Sequence, residues 1–180
     1  MENENTELVI SERQINLFSL LSIIGIIVVF YLPFAIYWGF IFAFAGFKYM
    51  IKVLIFWLIP MIVIHEGIHG LFWAIALKGN FRQIKFGFNT QMMAPYTHCK
   101  IPLSKRAYLI GGLAPLFIIG IIPSLIAFIE GNSYYFTLSL VSIWTSSGDL
   151  LSCFHLLKIP STYEIQDHPE KLGFKLIKKR

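Results

Sequence analysis

Residues 63–72 read VIHEGIHGLF, and the fold turns on how that stretch is read. His65, Glu66 and His69 stand at H-E-x-x-H spacing inside one of the most apolar runs of the chain. The run from about 53 to 77 exceeds the ~20 residues needed to cross a ~30 Å hydrocarbon layer. Ionisable side chains at that depth cost several kcal/mol, so an interaction must offset them. On a helix, residues four apart share a face, so His65 and His69 can hold one metal ion from the same side. Glu66 stands beside them, placed to take a proton from water that the metal activates. The plainer alternative is a histidine pair hydrogen-bonded across a packed bundle, with Glu66 protonated or paired.

The rest of the composition agrees with a membrane setting. Of 180 residues, 56% are hydrophobic and only 14% charged, against about 45–50% and about 25% in soluble domains. The length suits a single domain, 1–180, without an attached soluble module. The net charge of +5 is spread over short segments beside apolar runs. That is the pattern of cytoplasmic loops and calls for no nucleic-acid partner. Cys99 and Cys153 form no evident disulfide framework. The N-terminus MENENTELVISERQ lacks a basic n-region, so the first apolar run is expected to be retained.

Four regions are long and apolar enough to span: about 15–45, 53–77, 107–129 and 134–157. The expectation is an all-α membrane protein of about four helices. A fifth becomes possible if Pro33 and Gly39 kink the first region or fold it back as a second element. Lys78, Arg82, Lys85, Lys100, Lys105 and Arg106 fill one loop, and Lys158, Lys171, Lys175, Lys178, Lys179 and Arg180 the tail. Both basic segments therefore belong on the cytoplasmic side, with Lys48 and Lys52 as exceptions. Within the loop of about 79–104, Ile84, Phe86 and Phe88 alternate with Lys85, Gly87 and Asn89. This predicts an amphipathic β-hairpin, about 82–89 and 91–98, at the membrane interface between the second and third spans.

A catalytic zinc commonly has three protein ligands. The fourth region, LVSIWTSSGDLLSCFHLLK, holds the one other carboxylate deep in an apolar run, Asp149. His69 precedes Lys78, and Asp149 precedes Lys158, by the same nine residues. Both therefore sit about 13 Å below one boundary at ~1.5 Å per residue. Asp149 is the expected third ligand, with a hydrogen bond to a ligating histidine as its rival role. Cys153 and His155 read as a small apolar residue and an interfacial histidine. His98 and Tyr96 are candidates for contacting substrate or an oxyanion. QDHPEKLGF, with Asp167 and His168, reads as the start of a surface helix with Asp as N-cap.

Taken in order, the H-E-x-x-H helix, the loop ending HCKIPLSKRAYLIGGLAP, then GDLLSCFHLLKIP and QDHPEKLGF resemble a known family. It is the putative zincin peptidase family of small bacterial membrane proteins, a domain-of-unknown-function family, over about residues 60–175. The arrangement is more distantly similar to the three-helix core of site-2 protease-type intramembrane zinc metalloproteases. That likeness implies histidine ligands at His65 and His69, the catalytic glutamate at Glu66 and an aspartate ligand at Asp149. Here the aspartate follows Ser-Ser-Gly, not the Asn-Pro of many site-2 proteases, and GGLAP lacks their downstream Asn. The expected function is a membrane-embedded zinc metallopeptidase of a bacterial plasma membrane, its site facing the cytoplasm and its substrate a protein or peptide. The rivals are a metal-binding or structural membrane protein without hydrolysis and, less attractive without inverted repeats, a transporter.

Overall fold

A computed structural model describes residues 6–89, 94–168 and 172–178 of the protein. Among the described residues, three helices are long and apolar enough to cross a membrane: α1 (Glu12–Trp38), α2 (Phe40–Ala76) and α3 (Lys105–Ile129). Each start carries its local reason. Ser11 and Gln14 form a reciprocal capping box at α1, and the Ser104 hydroxyl accepts from the Ala107 amide at α3, satisfying otherwise orphaned N–H groups.

The first apolar region does not run on to residue 45. It ends at Gly39, whose φ of +99° and ψ of 139° separate α1 from α2. Such a conformation is essentially restricted to glycine, so the break falls there and not at Pro33. Residues 40–45 thus belong to the helix that carries the H-E-x-x-H motif, which runs for 37 residues with Pro60 inside it.

The fourth apolar region is also helical but divided. α4 (Ser133–Thr145) and α5 (Ser147–Leu157) meet at Ser146. The side chains of Thr145 and Ser146 both donate to the Ser142 carbonyl, at 3.0 and 3.1 Å, a competition with the backbone ladder that bends helices. The division places Asp149 in the first turn of α5, where the helix dipole favours a negative charge.

Beside the helices and the expected hairpin, the described residues hold a second, four-stranded sheet, which the all-α expectation did not include. β2 (Ile84–Asn89) and β3 (Ala94–Cys99) pair antiparallel, Phe86 opposite Thr97 and Gly87 opposite Tyr96. The described part of the second strand starts at Ala94, and its expected start at 91 lies outside the described residues. The turn expected at Asn89–Thr90 likewise runs into residues 90–93, outside those described. The second sheet is four-stranded and mixes both ends of the chain. Its order is β1 (Thr6–Val9), β6 (Gly173–Lys178), β5 (Tyr163–Asp167), β4 (Leu103–Ser104). Asp167 therefore ends a strand; the surface helix expected beyond it falls on residues 169–171, outside those described. The sequence around it, YEIQD, has alternation too short to register against a polar tail.

The core lies in two clusters. One joins Trp73, Ala74, Tyr108 and Leu156 of the helices to Ile84, Cys99, Ile165 and Phe174 of the two sheets. The other packs Phe34 of α1, Ala43 of α2, Leu116 of α3 and Phe136 of α4. The first cluster supports the motif helix where its histidines sit.

Candidate metal centre

His65 and His69 occur one turn apart on α2, and both are buried. Asp149 reaches them from α5. Its Oδ2 lies 3.0 Å from His65 Nε2 and its Oδ1 3.4 Å from His69 Nε2, and the two Nε2 atoms are 3.1 Å apart. The three residues form a group able to hold a metal ion. Among the described residues Cys153 and His155 stand outside it. His155 Nδ1–H donates to the Leu151 carbonyl at 2.9 Å, and Cys153 packs beside Gly112.

The donor set fits zinc. Bonds of ~2.0–2.1 Å in a tetrahedron put neighbouring ligand atoms about 3.3 Å apart, and the three separations here are 3.0, 3.1 and 3.4 Å. The tautomer of His69 fits as well. Its Nδ1 lies 2.8 Å from the Gly111 carbonyl. A carbonyl only accepts, so that nitrogen carries the proton and Nε2 keeps its lone pair free. His65 Nδ1 is buried with no hydrogen-bond partner among the described residues; Gly111 holds one imidazole and nothing comparable holds the other.

Gly111 can reach His69 because it has no side chain. The Trp73 indole occupies the space that a Cβ on Gly111 would take. That indole stacks on the His69 ring with centroids 5.4 Å apart, and its Nε1–H donates to the Tyr108 carbonyl at 3.3 Å. Gly111 of α3 is therefore a fitted surface for the motif helix.

The hairpin lies on the same helix. Ile84 and Phe86 meet Gly70, where a Cβ would come within 2.6 Å of the Phe86 ring. Across the ladder Thr97 faces Phe86. Its hydroxyl lies 2.7 Å from Glu66 Oε2 and 2.9 Å from the Glu66 carbonyl. Successive residues of a strand alternate faces, so Tyr96 and His98 point to the side opposite Thr97. Tyr96 covers Gly87, and His98 Nδ1 lies 3.8 Å from Asp167 Oδ2. Reasoning from the sequence overlooked Thr97. Its signal was parity with Ile84 and Phe86, the apolar face of the hairpin.

Asp167 gathers a second cluster. Its Oδ1 accepts from the Tyr108 hydroxyl and its Oδ2 from the Cys99 amide at 2.8 Å. Burial holds this carboxyl above its ordinary value of 3.8, against the downward pull of Tyr108, the Cys99 amide and His98, because removing it from water penalises the charged form.

Two histidines one helical turn apart, met by an aspartate from another helix, form a group that could hold a metal ion, with the histidine spacing of zinc peptidases. The family model described as "Putative zincin peptidase" matches residues 58–163, more than half of the chain, and the chain belongs to that family. That description points to a metallopeptidase, and the matched segment holds His65, Glu66, His69, Thr97, Gly111 and Asp149. No curated protein and no solved structure matches the chain.

Proposed function

We propose that this protein is a membrane-embedded zinc metallopeptidase that hydrolyses peptide bonds of a membrane or membrane-associated protein. The observation that carries the reading is the convergence of His65 Nε2, His69 Nε2 and the Asp149 carboxylate within one ligand-sized space. In this reading His65, His69 and Asp149 hold zinc. When bound there, zinc acts as a Lewis acid toward water and toward a scissile carbonyl. Glu66 is the general base, taking a proton from the attacking water and returning it to the leaving amine. Thr97 steers the Glu66 carboxylate through its hydroxyl. The Asp149 side chain is 29% exposed, whereas those of His65 and His69 are 9% and 6%, which favours substrate approach from the Asp149 side.

The order of motif helix, hairpin, Gly-rich helix and aspartate helix supports a site-2 protease-like arrangement. Cleavage requires an unwound backbone, and we place an extended substrate strand alongside the hairpin, a mode in which main-chain hydrogen bonds supply affinity. Lys78, just past the end of α2, and Lys158, just past the end of α5, favour a cytoplasmic opening in a bacterial plasma membrane. A direct contact of Tyr96 or His98 with the oxyanion gains no support from the hairpin face on which they lie.

The test is zinc content and proteolysis measured together on detergent-purified protein. Glu66→Gln is expected to retain zinc and lose about 10²–10⁴-fold in cleavage rate, and His65→Ala to lose both. Wild-type protein that neither carries nor takes up zinc would sink the reading. A Glu66→Gln variant that still cleaves would remove the general-base role.

A further inference from the structure

Asp167 lies four residues beyond the end of the family match at residue 163, and the proposed peptide hydrolysis makes no use of it. Asp167 is the last residue of β5, its side chain is 15% exposed, and no lysine or arginine pairs with it among the described residues. Its two oxygens instead hold two different segments, the Cys99 amide of β3 and the Tyr108 hydroxyl in the first turn of α3.

Each of those segments ends one contact from the metal centre. Cys99 is two residues from Thr97, the residue on the Glu66 carboxylate. Tyr108 stacks on Trp73 with centroids 5.0 Å apart, and Trp73 stacks on His69. Tyr108 also lies one helical turn before Gly111, whose carbonyl fixes the His69 tautomer. One carboxylate thus ties down both the base and one histidine, through independent paths of rigid contacts.

We infer that Asp167 is a positioning residue of the metal centre. Its carboxylate latches the hairpin and the start of α3 onto the C-terminal sheet, in the register that presents Glu66 and His69. The inference rests on the proposed metal centre for its function and on the hydrogen bonds above for its geometry. Residues that support ligating histidines at one remove typically change metal affinity by about 10–100-fold when altered.

The experiment uses full-length protein in detergent with Asp167→Asn, Tyr108→Phe and the double variant. Zinc affinity is measured by competition with a chromophoric chelator, the Co2+-loaded visible spectrum and the melting temperature are recorded alongside, and amide exchange is followed for residues 65–73 and 94–99. Tyr108→Phe keeps the ring on Trp73 and removes only the donor, so a role in packing alone predicts unchanged affinity and spectrum. The latch predicts zinc binding at least ~10-fold weaker in each single variant, a shifted Co2+ spectrum, and a double variant no worse than the weaker single. Unchanged affinity and spectrum in both singles, even with a lowered melting temperature, would overturn it. Should the wild type bind no zinc, the metal-centre reading fails separately and the exchange data decide the latch. Faster exchange in both segments upholds it, and unchanged exchange rejects it.

Discussion

Gly111 and Gly112 are chemically identical neighbours with different surroundings, and the difference is measurable. A methyl group on Gly111 would enter the Trp73 indole, whereas one on Gly112 would stop 3.3 Å from Cys153 Sγ. Gly111→Ala is expected to cost about 1–3 kcal/mol from overpacking and to lower zinc affinity, because the carbonyl holding His69 Nδ1–H moves with it. Gly112→Ala should cost less and leave metal binding intact. Chemical denaturation and zinc titration of the two variants check the contrast; equal effects would show that the Trp73–Gly111 contact does not set the histidine.

At the scale of elements, the hairpin and the motif helix are joined at Gly70 and left open at Gly67. A Cβ on Gly70 collides with Phe86, while one on Gly67 meets nothing within 4 Å. Gly70→Ala should therefore loosen the hairpin, seen as faster amide exchange across Ile84–Asn89 and Ala94–Cys99. Gly67→Ala should leave that exchange unchanged and gain up to about 1 kcal/mol of helix stability. The α1–α2 break gives a further prediction. Gly39 has open space around it but a φ of +99°, so Gly39→Ala should destabilise by about 1–3 kcal/mol through backbone strain alone, read from the denaturation midpoint.

For the whole molecule, the four-stranded sheet unites residues near both ends of the chain with the loop before α3, and Asp167 is a largely buried titrating group at that junction. Its folded-state pKa is raised by burial above 3.8, so folding favours the protonated form. The associated stability is fully present below the unfolded-state pKa and declines as pH rises through the raised one. Melting temperatures across the acid range should show that decline in the wild type and a flatter profile in Asp167→Asn. A wild-type profile that rises through the same window would contradict the assignment.

The amino-acid sequence by itself determined the apolar helical character and the candidate ligands. Those signals are local: run length against bilayer thickness, the i, i+4 spacing of His65 and His69, and the depth shared by His69 and Asp149. The hairpin strands were legible because Ile84, Phe86 and Phe88 alternate with polar residues. The tertiary structure alone decided the rest. The division of the fourth region at Ser146 depends on hydroxyls competing with a helix ladder, and the break at Gly39 on one backbone dihedral. The sheet built from β1, β4, β5 and β6 pairs strands far apart in sequence, so no local period announces it. Thr97 on Glu66, Gly111 on His69 and Asp167 on Tyr108 are likewise contacts between distant segments. Each depends on the separation and orientation of packed elements, and spacing along one element carries no information about either.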